Sequence, residues 1–332
     1  MLGDYELKVA QFADDRCVAR GCLSPDDSLF VTAGWAGSAR VWRIPECART
    51  ADLVGHSDRV VSAAFHPHAG RSLSEYGPNV ATASADCTVR VWSLVAERET
   101  QQQLVLGGGG GEGGGRSHAA RANFARFHPL GRHLASSGHD RVWKLWDLET
   151  QACLLAQTGH VAPVYPLAFQ ADGALLASGD LEGLVLLWDL RSGRRLLALQ
   201  GHLGQVLGLS FLANGFQLAS CSGDRSIKIW DLRKRGCVHT VPAHLRPVSD
   251  VQFSAAGEGE GGGQGEGGCM LSCGYDGKLK LWDTREWNCV RALNAHAPHK
   301  ATSLALSRDA RFLLSTGGTD KTFHLYQRRP TQ

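Results

Sequence analysis

Three side chains of the kinds that build a nucleophilic hydrolase lie close together in this sequence: His202, Asp224 and a serine at 220 or 222. A catalytic set occurs once in a chain, and this one recurs. A histidine after Gly, Ser or Ala stands at His56, His118, His160, His202, His244 and His296. An acid follows at Asp86, Asp140, Glu182, Asp224, Asp276 and Asp320, six residues before an aromatic at Trp92, Trp146, Trp188, Trp230, Trp282 and Tyr326. The aromatic series begins at Trp42, where Ala36 holds the acid position and Ala13-Asp14-Asp15-Arg16 replaces the Gly-His pair.

Repetition assigns the set to structure. A carboxylate in a tight turn can accept hydrogen bonds from a histidine and from turn N–H groups, while a Trp N–H and a Ser or Thr hydroxyl complete a buried network. His202, Asp224 and Trp230 form one such network; His160 with Trp188, Asp140 with Trp146, and Asp276 with Trp282 hold the same places in other units.

Other chemistries find little support. The ten cysteines include no CxxC pair, and Cys269 and Cys273 read as buried strand residues, so reduced thiols are expected with no metal and no cofactor. The glycine tracts at 107–115 and 256–268 lack the Lys-Ser/Thr and following helix of a phosphate-binding loop and read as flexible linkers. Net charge is +3, so contact with nucleic acid must be local. No apolar run reaches the ~20 residues of a bilayer span, and the N-terminus lacks the order of a secretory signal, which predicts a soluble intracellular protein.

The elements that position these residues follow from the repeat. Aromatic spacings of 50, 54, 42, 42, 52 and 44 residues define a unit of about 42, interrupted by insertions at 69–79, 107–115 and 256–268. Such a unit suits a four-stranded propeller blade. The triple mark resembles the WD40 family across essentially the whole chain and implies an all-β, closed seven-bladed propeller, with residues 1–332 as one domain. The last unit lacks room for an outer strand, so residues 5–12 are expected to supply it. Trp143 and Trp146 are an odd number of residues apart and should face opposite sides of their strand, with Lys144 to Leu148 read as an inner strand.

Departures from the average repeat resemble the WD-repeat proteins of the spliceosomal U4/U6 small nuclear ribonucleoprotein. They are the Asp14-Asp15-Arg16 start, the Trp35-centred turn, the insertion in the second blade, Asp140-Arg141 before Trp143, and Ala243-His244. The resemblance implies a nuclear, non-catalytic scaffold of the U4/U6 snRNP and U4/U6.U5 tri-snRNP in pre-mRNA splicing. It would be a monomer within that complex, bound to other snRNP proteins, with direct contact to U4/U6 snRNA left open. That family's N-terminal helical region has no counterpart here, which implies a truncated chain or a reduced lineage. A rival comes from Trp-Asp-x-Arg at 188–191, 230–233 and 282–285, which resembles the box by which propeller substrate receptors dock on cullin ubiquitin ligases through Arg191, Arg233 or Arg285.

Spacing places Arg59, Arg121, Trp35, His139, Tyr275 and Lys300 on one face as a partner-binding set. Turns after the tryptophans should carry Arg191, Arg194, Arg195, Arg233, Lys234, Arg235 and Arg285 on the opposite face, able to meet RNA phosphates or an acidic protein. Channel-side positions read as mostly neutral, with no converging acid–base pair.

Overall fold

The computed structural model describes residues 5–69, 79–94, 103–107, 117–254 and 268–329. Their strands form seven four-stranded antiparallel sheets, and these residues include no helix. Blade 1 comprises Val18–Leu23, Leu29–Gly34, Ser38–Arg43 and Ala48–Val54; blade 2, Val60–Phe65, Val80–Ser84, Val89–Trp92 and Gln103–Leu106. Blade 3 comprises Ala122–Phe127, His133–Gly138, Trp143–Asp147 and Cys153–Gln157; blade 4, Val164–Phe169, Leu175–Asp180, Val185–Asp189 and Arg194–Leu199. Blade 5 comprises Val206–Phe211, Gln217–Ser222, Ser226–Asp231 and Gly236–Pro242; blade 6, Val248–Phe253, Cys269–Gly274, Lys278–Asp283 and Cys289–Asn294. Ala301–Leu306, Phe312–Gly317 and Thr322–Arg328 make blade 7, completed by Tyr5–Phe12.

First strands touch in blade order, and that of blade 7 touches that of blade 1, so the ring closes around a channel. Because successive strands run antiparallel, the loop leading into a blade and its second-to-third turn open on one face, here the upper. The other two turns open on the lower face.

Strand Tyr5–Phe12 behaves as a true fourth strand. Its register shifts between Leu7 and Val9, opposite Tyr326 and Leu325. Blades 1, 3, 4, 5 and 6 show the same irregularity beside their tryptophan. Tyr5 is buried and donates its hydroxyl to the Ala310 carbonyl at 2.8 Å, and the Ala13 N–H bonds to Lys321 O at 2.9 Å. An otherwise open sheet edge is thus paired.

The core is divided into seven apolar clusters, one at each blade-to-blade interface. Each third-strand aromatic packs toward the preceding blade: Trp146 against Val89 and Val91 of blade 2, Trp230 against Val185 and Leu187 of blade 4. Trp143 turns the other way, fully buried and edge-on to Trp188 at 5.5 Å between ring centres. The opposite-side expectation therefore holds, but the strand is third from the channel rather than inner. A buried indole removes on the order of 200 Å² from water, about 5 kcal/mol as an upper figure.

The repeat tryptophans are also held by hydrogen bonds, whereas the Trp143 Nε1 has no partner among the described residues. Trp230 Nε1 donates to Ser220 Oγ at 2.8 Å, His202 Nε2 lies 2.7 Å from the same oxygen, and His202 Nδ1 lies 2.8 Å from Asp224. Ser220 is therefore the network serine, while Ser222 caps the turn through Gly204 O and the Asp224 N–H. Every donor finds an acceptor when the imidazole proton sits on Nδ1. The same chain runs through His118, Asp140, Ser136 and Trp146, through His244, Asp276, Ser272 and Trp282, and through His56, Asp86, Thr82 and Trp92.

Two blades depart from the expected acid. In blade 4 His160 pairs with Asp180 at 2.9 Å, and the exposed Glu182 only contributes its N–H to that carboxylate. Asp180 ends the second strand, two residues earlier, so fixed spacing selected the wrong acid. In blade 1 the carboxylate comes from the other partner position: Asp14 occupies the histidine's place, accepts from the Ala36 N–H at 3.4 Å and pairs with Arg40 at 3.3 Å. A Cβ on Gly34 would fall 1.5 Å from the Asp14 carboxylate, so only glycine fits there.

The insertion at 70–78 lies outside the described residues, as do the glycine tracts apart from Gly107 and Gly268. Cys273 is buried and Cys269 partly so; burial raises both thiol pKa values.

Deleting residues 1–12 should lower the melting temperature by on the order of 10 °C, read by differential scanning fluorimetry; an unchanged value would contradict the role of the closing strand. The turn carboxylates predict acid sensitivity. Burial alone would raise the Asp86 pKa, but hydrogen bonds from Thr88 and His56 override it and hold it at about 2, and Asp140, Asp224, Asp276 and Asp320 are likewise lowered. Their stabilisation is complete above the unfolded carboxylate value near ~4 and is lost as pH falls through the folded values. The midpoint in urea should fall between pH 5 and pH 2.5, less steeply in Asp224→Asn; a flat profile would refute this.

Candidate functional site

The upper rim is built from two positions brought together by one backbone bond that every blade repeats. The residue just before the turn donates its N–H to the carbonyl of a residue in the leading loop: Trp35 to Cys17, Ala85 to Arg59, His139 to Arg121, Leu181 to Pro163. Gly223 to Gln205, Tyr275 to Pro247 and Gly318 to Lys300 complete the series, with lengths of 2.8–3.1 Å. This bond is why sequence spacing could place these residues on one face.

Two pairs of side chains cross blade boundaries. The Arg59 guanidinium of blade 2 sits 5.0 Å from the ring centre of Trp35 in blade 1, and the Lys300 ammonium of blade 7 sits 4.8 Å from that of Tyr275 in blade 6. An aromatic before one turn and a cation in the next leading loop thus make a cation–π contact. Trp35 remains 40% exposed, a large ring open to a partner. Arg121 is exposed beside the partly buried His139, whose Nδ1 has no hydrogen-bond partner among the described residues. Burial, with the Arg121 charge, lowers the His139 pKa. The six residues therefore form three pairs spread over blades 1–3 and 6–7 rather than one cluster.

The lower face is less uniform than expected. Arg191, Lys234, Arg235 and Arg285 are exposed near the third-to-fourth turns, but Arg194 and Arg195 lie on the outer strand, paired in register with Asp189 and Trp188. Arg233 is already engaged: it bonds the Asp231 carboxylate at 3.1 Å and stacks 3.5 Å from the Phe216 ring centre. Its side chain stays largely exposed but already has an acidic and an aromatic neighbour within its own blade.

The channel is lined mostly by neutral side chains, with three charges among them, Arg20, Arg126 and Asp250. Arg20 of blade 1 reaches across to Asp250 of blade 6 at 2.6 Å and lies over the Phe124 ring of blade 3 at 4.5 Å. Arg126 of blade 3 lines the same cavity, of about 100 Å³, and donates to Leu167 O at 3.4 Å; burial and the nearby Arg20 charge lower its pKa. Asp250 also accepts from the Val251 and Leu304 N–H groups. These donors and acceptors fix strands of different blades to one another; the arrangement is a tie, with the acid saturated by partners. Single charges on separate first strands carried no signal of their convergence, because only ring closure brings blades 1, 3 and 6 together.

Among the described residues no group of three His, Cys, Asp or Glu could hold a metal, and no helix is long and apolar enough to cross a membrane.

Comparison with known families matches "WD domain, G-beta repeat" at residues 15–43, 46–93, 116–147, 151–189, 193–231, 235–283 and 287–327. A U4/U6 small nuclear ribonucleoprotein Prp4 of Mus musculus is 36% identical over 76 residues, 23% of this chain and 15% of that protein. The PRP4 protein of the same name in Saccharomyces cerevisiae is 30% identical over 159 residues, 48% of this chain and 31% of the relative. A Polycomb protein EED of Chaetomium thermophilum is 34% identical over 123 residues, 37% of this chain and 20% of the relative. The matches thus span under a third of each relative.

Asp250→Ala should cost about 3–5 kcal/mol of unfolding free energy by leaving Arg20 uncompensated, whereas Arg20→Met with Asp250→Leu should restore most of it. Equal midpoints in urea for the single variant and the parent would show that the tie contributes nothing.

Proposed function

Since the chain belongs to the WD domain, G-beta repeat family, we propose that it is a non-catalytic, nuclear scaffold of the U4/U6 small nuclear ribonucleoprotein and of the U4/U6.U5 tri-snRNP in pre-mRNA splicing. Propellers serve many tasks, so the fold supports scaffolding and leaves the process open. The similarity to the U4/U6 proteins of mouse and yeast carries the splicing reading. The upper rim supports protein contact, because rigid loops hold Trp35, Arg59, Tyr275 and Lys300 in cross-blade pairs, with Arg121 and His139 between, before any partner binds.

Contact with RNA would fall to the lower face, where Arg191, Lys234, Arg235 and Arg285 are exposed, with Arg194 and Arg195 exposed on the adjoining outer strand. The cullin reading is weaker at its middle box, since Arg233 is committed to Asp231 and Phe216.

Immunoprecipitation of the tagged full chain should enrich U4 and U6 snRNA over other small nuclear RNAs. Trp35→Ala with Tyr275→Ala should reduce that recovery at least about fivefold with no comparable loss of thermal stability. Recovery of a cullin adaptor without U4 or U6 would overturn the splicing reading in favour of its rival.

A further inference from the structure

Each leading loop also displays the residue that follows the histidine, or Asp14 in blade 1. The series is Asp15, Ser57, Ala119, Val161, Leu203, Leu245 and Ala297. In blades 2, 3, 5 and 6 the display is fixed by a bond from the backbone N–H of Ser57, Ala119, Leu203 and Leu245 to the turn acids Asp86, Asp140, Asp224 and Asp276, at 3.2, 3.0, 3.1 and 3.4 Å; in blade 4 the preceding His160 is held by Asp180. In blades 4, 5 and 6 the displayed residue is a large aliphatic one, and Val161, Leu203 and Leu245 are 68%, 95% and 78% exposed.

Side chains so open to water add almost nothing to the core. Exposed aliphatic residues scattered singly are ordinary, but these stand at the equivalent position of three consecutive blades and so form an arc on the upper face. The loops that carry them need no ordering on association, which lowers the entropic cost of binding there.

Charge around the arc selects the occupant. Arg225, Arg246, Lys300 and Lys321 are exposed on the same face in blades 5 to 7, whereas Asp224, Asp276 and Asp320 are turned toward their histidines. Glu182 is the exposed acid of blade 4 in this region. A second copy of this chain would bring the same cations against them, and an RNA backbone offers no apolar groups to cover the leucines.

We propose that Val161, Leu203 and Leu245 form a docking surface for an acidic segment of a partner protein, its apolar side chains on the arc and its carboxylates toward Arg225 and Arg246. The proposal rests on the reading of the upper face as partner-binding and holds whether or not the partner is spliceosomal. It adds a site to the aromatic and cationic pairs of the rim, on the half of the ring where those pairs are sparse.

Photo-crosslinking tests it. The full chain carrying p-benzoylphenylalanine in place of Leu203 is irradiated in its native cell extract, with replacement of the exposed outer-strand Leu154 as control. The crosslinked peptide, identified by mass spectrometry, should come from another protein, carry net negative charge and contain aliphatic or aromatic residues. A synthetic copy of that peptide should bind the parent chain, and Leu203→Asp with Leu245→Asp should weaken binding at least about tenfold at unchanged melting temperature. Arg225→Glu with Arg246→Glu should weaken it mainly at low salt. A crosslink to a second copy, to RNA or to a basic or uncharged segment, or a yield no higher than at Leu154, would overturn the proposal. If an acidic segment is captured from a protein outside the splicing machinery, the docking surface stands and the splicing reading falls.

Discussion

One buried hydroxyl per blade sets the geometry on which both faces depend. In blade 5 Ser220 receives the Trp230 N–H and meets His202 Nε2, so a single oxygen links the third strand, the second strand and the leading loop. His202 then holds Asp224, and Asp224 accepts the N–H groups of Ser226 and Leu203. A chain of bonds thus runs from the blade interior to the surface of the upper face. The bonds are buried, so a missing partner would leave a polar group desolvated, at a cost of about 1–3 kcal/mol. What sets this group apart from a hydrolase triad is the indole: the Ser220 hydroxyl that meets His202 also accepts the Trp230 N–H, deep inside the blade.

The same network separates two kinds of residue in the turns. Groups that hold the network point inward, and their immediate neighbours are thrown outward in fixed directions. Trp35, His139 and Tyr275 lie just before the turn position, while Val161, Leu203 and Leu245 lie just after the leading-loop position. Apolar packing between blades supplies the mass of the core, and Trp143 against Trp188 reinforces one boundary with a second indole. The hydrogen-bonded chain supplies direction. A scaffold needs both, since contact side chains must stay where the partner expects them.

Much of this was legible in the sequence because it repeats. Six histidines and seven aromatic residues at regular intervals gave the blade count, and the strand composition of residues 5–12, outside any repeat unit, pointed to the closing strand. The backbone positions of the rim residues follow the repeat as well, since one bond recurs in every blade, but their side-chain pairing was not foreseen. What escaped was whatever repetition does not encode. Asp180 replaces Glu182 by a shift of two residues that fixed spacing cannot see. The Arg20–Asp250 tie joins side chains 230 positions apart that only ring closure makes neighbours. Arg233 looked free in a run of cations, because a charge run does not reveal that Asp231 and Phe216 fold beneath it. The exposed arc was overlooked because aliphatic residues in a β protein read by default as core.

Blade 1 shows how a departure from the repeat is absorbed and what it releases. A turn acid normally binds a leading-loop histidine; here the leading loop supplies the acid, Asp14, the turn supplies the Ala36 N–H, and Arg40 of the third strand bonds both Asp14 and the Ala13 carbonyl. Trp42 keeps its hydroxyl acceptor in Thr32, so the blade interior is unaltered. With the carboxylate moved, the turn no longer has to place a side chain inward, and the small residues Ala36 and Gly37 follow Trp35 in it. Trp35 projects from that turn and meets Arg59 from the next blade. A loss of the standard pair at the surface is therefore coupled to the most exposed tryptophan of the upper rim, so the blade that breaks the pattern is also the one that presents the largest contact side chain.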